Sequence, residues 1–383
     1  MNIEDQMISS LHNLARNISN LPGWKTSSKF VVIESDDWGS TRMPSLSAFQ
    51  KLEILGLDLR SADAERYNQN DTLETRLDLE NLFEVLAEFK DSLGNSPIFT
   101  AVTIVANADF KRIRESGFHD YFYEPFTETL QRFTGDGKTF ELRKEGIEKR
   151  LFVPQLHGRE HLNVAAWMKD LKIGDNQARL AFNEGVTGFV PPEYPEVDYQ
   201  AAFLLNNPLE MEYHEVVIKE GLDLFEKLFG FKAEYFVPPN GPFNNNLNKV
   251  LYENGIKYRS ASKIQHEPLG NGKYRKVLHW LGQKEINGIR YITRNCFFEP
   301  SQQGKDWVDS CLNDIKIAFK WHKPSIISTH RVNYIGSLNP SNRDNGLRQL
   351  SKLLQEIIRN WPDVKFLTTP QLGALIDKSK SNG

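Results

Sequence analysis

Two histidines, His157 and His161, lie four residues apart directly after the apolar stretch 151–153. Two neutral imidazoles at this spacing can bind one metal ion, and Zn²⁺ suits them, with Co²⁺ and Ni²⁺ as alternatives. Residues four apart share one face of a helical turn, so the pattern predicts two rings that point the same way. Nine histidines in 383 residues give such a pair by chance in about one sequence in five, so other motifs must support a metal site.

Two adjacent carboxylates, Asp36 and Asp37, follow the apolar and β-branched stretch 30–33. Like charges this close raise each other's pKa, so the pair is unfavourable unless a cation receives it. One interpretation is therefore a metal ligand beside a general base. The other is a helix cap followed by the turn at Gly39.

Short β-branched stretches alternate with helical patterns along the chain. The stretches predicted as strands are 30–33, 98–105, 151–157, 234–237, 256–260, 289–293, 325–330 and 365–367. This alternation is typical of a parallel sheet, closed as a barrel or open and doubly wound. Asp36, Asp37, His157, Asn240 and His330 each lie at or just after the end of a strand, where α/β folds build their active sites. The sequence thus predicts one site that contains all five residues.

Composition describes an ordinary globular protein, with 39% hydrophobic and 25% charged residues. The 47 basic and 50 acidic residues nearly balance, which argues against a nucleic-acid partner or an anionic membrane surface. Only two cysteines occur, so a metal site must use histidine and carboxylate ligands. No apolar stretch is long enough for membrane insertion, and the N-terminus lacks the pattern of a signal peptide, so we expect a cytoplasmic protein. The oligomeric state is not indicated.

One large domain, residues 29–383, is predicted after an N-terminal amphipathic helix and lead-in at residues 1–28. Two polar, loop-rich stretches, 107–150 and 185–208, are predicted as insertions that wall a cleft.

In chain order, the motifs are a strand then Asp-Asp, a strand then His-x-x-x-His, a strand then Pro-Pro-Asn-Gly, Asp-Trp before a helix, and a strand then His. That order resembles the polysaccharide deacetylase family, also called NodB-like and the fourth family of carbohydrate esterases, over residues 30–376. The resemblance implies an α/β fold, an irregular (β/α)7 barrel, here with large inserted segments. It also implies one divalent metal ion, with zinc preferred, and a carbohydrate substrate.

The resemblance assigns roles to the residues that match the family's motifs. Its T-F-D-D-G motif is similar to residues 34–38, which implies that Asp36 is the general base and Asp37 a metal ligand. Its H-x-x-x-H motif matches His157 and His161, which implies that they complete the ligand set.

The later motifs imply the general acid and the pocket. The final L-x-H motif resembles residues 328–330, which implies that His330 is the general acid. Asp306 and Trp307 are similar to the motif whose Asp orients that histidine and whose Trp lines the pocket. The R-x-P-Y motif resembles residues 237–240, which implies that Pro239 and Asn240 lie at the substrate, with a backbone N–H near Asn240 at the oxyanion.

Two departures from the family pattern concern the base and the pocket. Val237 stands where the family has the Arg that pairs with the general base. Arg159, Arg294 and Arg331 are candidates to supply that guanidinium from another loop. Trp38 replaces a Gly, so we expect it to alter the pocket floor.

The resemblance implies metal-dependent hydrolysis of N-acetyl groups, or of O-acetyl groups, on a sugar or polysaccharide precursor. The residue types allow this chemistry independently, because three protein ligands leave coordination positions open and a carboxylate and an imidazole can move protons in both directions. Two alternatives stay open. One is a catalytically silent barrel that binds carbohydrate, and the other is a related C–N hydrolase acting on a ureide or cyclic imide.

Overall fold

The computed structural model describes residues 13–60, 64–135, 137–189 and 199–381. Its strands are β1 (Phe30–Trp38), β2 (Phe99–Ile104), β3 (Ala106–Ala108), β4 (Tyr123–Pro125), β5 (Phe152–Gly158), β6 (Tyr235–Phe236), β7 (Tyr258–Ser260), β8 (Ile264–Gly270), β9 (Lys273–Leu278), β10 (Arg290–Ile292), β11 (Cys296–Phe297), β12 (Ser325–His330) and β13 (Lys365–Leu367). Its helices are α1 (Leu46–Ile54), α2 (Ala64–Asn70), α3 (Arg76–Glu88), α4 (Phe110–Glu115), α5 (Phe126–Thr134), α6 (Lys138–Glu148), α7 (Val164–Ile173), α8 (Asn176–Asn183), α9 (Met211–Phe229), α10 (Asn248–Glu253), α11 (Trp307–Lys320), α12 (Pro340–Asn360) and α13 (Thr369–Ser381).

Nine of these strands form one sheet in the order β10-β7-β6-β5-β2-β1-β12-β11, with β13 also paired to β1. Neighbouring strands of this sheet run parallel, and helices connect most of them. The predicted α/β fold is therefore confirmed. All eight predicted strands are present, and the one strand of the sheet that was missed is the two-residue β11, which is too short to show a periodicity.

The sheet curls into a barrel, because its two end strands are joined by a very short link. In a flat sheet, the eight strands from β10 to β11 would span roughly 34 Å at about 4.8 Å per strand. The link between them is residues 293–295, and a link of that length reaches only about 14 Å. β10 and β11 must therefore lie close together, and the link crosses the seam of the barrel.

Side chains on the two faces of the sheet pack into different clusters, as alternation along a strand requires. One cluster joins inward residues from strands across the whole sheet with residues of α13, namely Val32, Val102, Tyr235, Tyr258, Ile292, Ile326, Leu372 and Ile376. The opposite face, with Val31, Phe99 and Ile327 among its residues, packs against α3, α11 and α12. The first cluster fills the barrel interior, and the second joins the barrel to its outer helices.

The predicted insertion at 107–150 divides into two parts. Its first part leaves the barrel, since β3 and β4 form a separate antiparallel pair followed by α5. Its last part, α6, packs back against α3 and β5, and the fully buried Arg143 on this helix forms an ion pair with Glu74. Helix α6 thus belongs to the outer layer of the barrel.

Parts of two other predicted segments lie outside the described residues. Residues 190–198 of the predicted loop 185–208 and residues 1–12 of the predicted N-terminal helix are not described, while residues 13–19 are helical. Among the helices of the described residues, none is both long and apolar enough to cross a bilayer.

Candidate metal centre and active site

A bulge in β1 lets two neighbouring aspartates face the same cavity. In a regular strand Asp36 and Asp37 would point to opposite faces of the sheet. The register between β1 and β2 shifts between Ser35 and Trp38, and Asp37 takes a left-handed backbone conformation with φ of 76°. Both carboxylates line one cavity as a result. Strained backbone of this kind is found preferentially at functional sites.

The two histidines reach the same cavity from the end of β5 and the loop that follows it. The prediction that they share one helical turn is wrong, because His157 is still in the strand and His161 precedes α7. Gly158, with φ of 131°, turns the chain between them. Their ring centroids are 5.1 Å apart, so the turn brings the imidazoles together without a helix.

Asp37, His157 and His161 are buried and can hold a metal ion. Asp37 Oδ1 lies 3.2 Å from His157 Nε2 and 3.3 Å from His161 Nε2, and the three ligand atoms lie within 4.8 Å of one another. His157 Nδ1 is 2.8 Å from the carbonyl oxygen of Val237, which can only accept, so this nitrogen donates. If the ring of His157 is neutral, its other nitrogen, Nε2, carries a lone pair, and this lone pair faces the carboxylate of Asp37. A cation between the two groups would bind both. The donor set therefore fits a divalent metal ion.

Arg294 supports Asp36 in place of the arginine that is absent at Val237. Its Nη1 and Nη2 donate to the two carboxylate oxygens of Asp36 at 2.6 and 2.7 Å, and its Nε donates to Glu34 at 2.6 Å. Burial alone would raise the pKa of Asp36, but the charge and hydrogen bonds of Arg294 lower it below its usual value. Arg294 lies in the link between β10 and β11, at the seam of the barrel.

The other two candidate arginines form ion pairs with other carboxylates and not with Asp36. Arg159 forms a buried ion pair with Glu160 and a second ion pair with the partly exposed Glu220. Arg331 is fully buried and donates to Asp71 at 2.9 Å. Of the three candidates, Arg294 is the one that contacts Asp36.

His330 lies at the end of β12, beside Asp36. Its Nε2 is 3.9 Å from Asp36 Oδ2, and its Nδ1 donates to Glu299 at 2.6 Å. Burial lowers the pKa of His330. The negative charges of Glu299, Asp37 and Asp36 together have a larger effect in the opposite direction and raise that pKa to about 9. His330 is therefore protonated at neutral pH. Arg66 donates to the second oxygen of Glu299 at 2.8 Å and keeps that carboxylate in place.

Asp306, Trp307 and Trp38 were also predicted at the site but do not line the cavity. Asp306 is exposed and caps α11 by accepting from the backbone N–H of Asp309, so Glu299 and not Asp306 orients His330. Trp307 packs in the outer core, with its Nε1 donating to the carbonyl of Gln302. Trp38 is also in that core, because the bulge of β1 directs its ring edge-on against Phe152.

The cavity has a volume of about 840 Å³, large enough for a sugar. Asn240 lines it and has a left-handed backbone conformation with φ of 53°. Pro238 also lines the cavity. Pro239 is not part of the lining. The predicted residues that share the cavity are Asp36, Asp37, His157, His161, Asn240, Arg294 and His330.

Two residues that hold site side chains in place were missed from the sequence. Glu34 is fully buried in β1 and binds Arg294, Tyr235 and Thr369. Its signal was present, because a carboxylate directly after a strand buried on both faces requires a partner. Glu299 follows the short β11 and has no comparable signal.

Comparison with known proteins gives only weak likenesses. No family model matches the chain, and no curated protein matches it. Solved structures similar to it include proteins described as polysaccharide deacetylases from Mycobacterium smegmatis (10% identity, TM-score 0.45, 94% of each chain covered) and from Pseudomonas aeruginosa (10%, 0.46, 91% of each). Another is the Puue allantoinase (10%, 0.45, 92% of this chain and 91% of that one). Likenesses of this strength identify neither a family nor an activity.

Proposed function

We propose that this protein is a metal-dependent hydrolase that removes N-acetyl groups from a sugar or polysaccharide precursor and gives the free amine and acetate. The observation that carries the proposal is the buried set of Asp37, His157 and His161 directly beside Asp36 and His330. These are the groups that hydrolysis of an amide needs, since it requires a polarised carbonyl, a base and an acid.

The three ligands suit one divalent metal ion, and Zn²⁺ is preferred because two imidazoles and one carboxylate are its usual donors. When bound, such an ion would polarise the amide carbonyl and lower the pKa of the attacking water. The Val237 carbonyl fixes the tautomer of His157 that presents Nε2 to the ion.

Proton transfer falls to the chain's own residues. Asp36 accepts the proton of the attacking water, and His330 gives its Nε2 proton to the departing amine. Both groups are held in the required form at neutral pH, because Arg294 keeps Asp36 ionised and Glu299 keeps His330 protonated. We assign Asn240, on the cavity wall, to the oxyanion side of the substrate.

The alternative of a silent carbohydrate-binding barrel rested on the missing arginine at Val237 and on the altered pocket residues. Arg294 makes two hydrogen bonds to Asp36, which weakens the first of these two reasons.

Metal analysis combined with acetate release from a panel of N-acetyl sugars tests the proposal. The wild type should bind one divalent ion per chain and release acetate from at least one sugar. His157→Ala should lose the ion and lower kcat/KM by roughly 10²- to 10⁴-fold, the effect of several kcal/mol of lost transition-state stabilisation. The matched control is His266→Ala, which makes the same change at an exposed position on β8 and should retain both properties.

Full turnover after chelation, or in His157→Ala, would contradict a metal-dependent reaction. A ureide and a cyclic imide belong in the panel. If these are hydrolysed and no N-acetyl sugar is, the site opens another C–N bond, and the deacetylase assignment fails.

A further inference from the structure

The walls of the cavity carry more positive than negative charge. Its basic lining residues are Arg16, Arg42, Arg66, Lys263 and Arg294, and its acidic ones are Asp36, Asp37 and Asp314. A bound divalent metal ion would add to this excess. Cavities lined by one sign of charge favour ligands of the opposite sign.

Three of the five cations are neutralised by carboxylates. Arg294 pairs with Asp36, and Arg66 pairs with Glu299, at 2.6 and 2.8 Å. Arg16 lies 3.0 Å from Asp314. These three cations pair with carboxylates of the protein itself, so the excess positive charge comes from the other two, Arg42 and Lys263.

Arg42 and Lys263 have only neutral hydrogen-bond partners among the described residues. Lys263 donates to the hydroxyl of Ser19 at 3.0 Å, near the N-terminal helix. Arg42 donates from Nη1 to Gln200 at 3.2 Å, while its Nε is buried and has no hydrogen-bond partner within the described part of the chain. A buried guanidinium N–H without an acceptor is costly, and an anionic ligand would satisfy it.

Arg42 also lies close to the reacting groups. Its guanidinium is over the ring of Tyr67, 5.0 Å from the centroid, and the same ring contacts His330 edge-on at 5.8 Å. One aromatic ring therefore separates Arg42 from the proposed general acid. A group bound by Arg42 would be part of the same small molecule that reacts beside His330.

Gly188 packs directly against Arg42 Nε. It lines the cavity, and a Cβ added to it would come within 3.1 Å of Arg42 Nε. Its backbone conformation does not require glycine, because its φ is not in the left-handed region. A side chain at this position would therefore crowd the Arg42 guanidinium.

We infer that Arg42 forms an anion subsite, and that the substrate is an acylated amino sugar that carries a carboxylate or phosphate group on the side facing Arg42. This inference rests on the proposed function, because it specifies the class of sugar that the same site takes. The guanidinium binds the anion with the geometry that favours carboxylate and phosphate.

Calorimetric binding of deacylated sugars tests the subsite without any turnover. The probes are glucosamine, glucosamine 6-phosphate and muramic acid, titrated into metal-loaded enzyme at low ionic strength. At least one anionic sugar should bind roughly 10- to 100-fold more tightly than glucosamine, the effect of one charged hydrogen-bonded pair. Whichever anionic sugar is preferred identifies phosphate or carboxylate as the group.

Arg42→Gln should remove this preference and leave glucosamine binding unchanged. Gly188→Ala, which keeps the charge but crowds Arg42 Nε, should weaken the preference in a second, independent variant. The matched control is Arg359→Gln, which removes one positive charge from the exposed face of α12 and should retain the preference.

Equal binding of all three sugars by the wild type, or an anion preference that survives in both Arg42→Gln and Gly188→Ala, would overturn the inference. If the preference is present and depends on Arg42 but no N-acetyl sugar is hydrolysed, the subsite stands and the proposed reaction fails. If neutral N-acetyl sugars are hydrolysed and no preference exists, the reaction stands and the subsite fails.

Discussion

Replacing Arg294 by glutamine should destabilise the protein by about 3–5 kcal/mol, the usual cost of removing one partner from a buried ion pair. The Arg294 side chain is 14% exposed, and its partners Asp36 and Glu34 are 5% and 0% exposed. Glutamine keeps a hydrogen-bonding group there but no charge. Two buried carboxylates would therefore lose their common counter-ion.

The expected loss of stability is small enough to be measured by urea unfolding of a folded variant. A loss of 3–5 kcal/mol is a large part of the roughly 5–15 kcal/mol that stabilises a typical protein, so the variant should fold but unfold at much lower urea. Glu34→Gln in the same chain removes one of the two orphaned charges. The double variant should therefore lose less stability than the sum of the two single variants.

The pH dependence follows from the ionisation of Asp36. In the wild type, Arg294 holds the folded-state pKa of Asp36 below its ordinary value, so this contribution to stability is present at neutral pH and lost as the pH falls through that pKa. Without Arg294, burial raises the pKa of Asp36, and protonation relieves the buried charge. The stability difference between wild type and variant should thus be largest at neutral pH and smaller in acid. The acid limb of the kcat/KM profile should move to higher pH, because the base is ionised only there.

Urea unfolding of the wild type, both single variants and the double variant at two pH values measures these effects. Arg359→Gln, whose side chain is 70% exposed in an ion pair on α12, is the control and should change stability by less than about 1 kcal/mol. A destabilisation of Arg294→Gln as small as that control, or one that does not depend on pH, would refute the role assigned to the pair.

Three further changes separate the roles assigned to single residues. Burial lowers the pKa of His330, but the charge of Glu299 has the larger effect and raises that pKa to about 9. Glu299→Gln should therefore move the alkaline limb of the kcat/KM profile to lower pH. An unchanged alkaline limb would show that it reports another group. Asp306→Ala removes a helix cap and should lower the free energy of unfolding, measured with heat or urea, by about 1 kcal/mol. The pH–rate profile should stay unchanged, and a shifted profile would show that Asp306 acts at the site. Gly39→Ala should destabilise the protein by roughly 1–3 kcal/mol, because φ at this position is 86° and a Cβ would lie 2.5 Å from the carbonyl oxygen of Ile104. A urea midpoint equal to that of the wild type would contradict this.

The sequence predicts the barrel and most of the cavity because both depend on local patterns. Apolar, β-branched stretches mark the strands, and parallel strands bring their carboxyl ends to one edge. Asp36, Asp37, His157, Asn240 and His330 were placed together on that reasoning alone, and all five line the cavity.

What the sequence does not predict depends on contacts between distant elements. The bulge that turns Trp38 into the core is set by the register of β1 against β2, which no local pattern specifies. Glu299 follows a two-residue strand that exists only because it pairs with β12. Asp306 was placed beside His330 by family resemblance, yet a cap residue directly before a helix is equally well explained by the helix itself.

Arg294 reaches Asp36 from a part of the chain other than the one that the family resemblance implied. The guanidinium that pairs with Asp36 must reach it from a nearby strand end, and in a sheet that curls into a barrel the residues at the seam come close to the central strands. Here the link between β10 and β11 lies where the two ends of the sheet meet, and its arginine bonds to Glu34 and Asp36 of β1 and, at 3.0 Å, to Ser328 of β12. The side chain that lowers the pKa of Asp36, the proposed base, therefore also holds the seam to the central strands. Removal of Arg294 should for this reason lower both the activity and the stability of the folded barrel, whereas loss of His157 should affect the metal site and leave the seam intact.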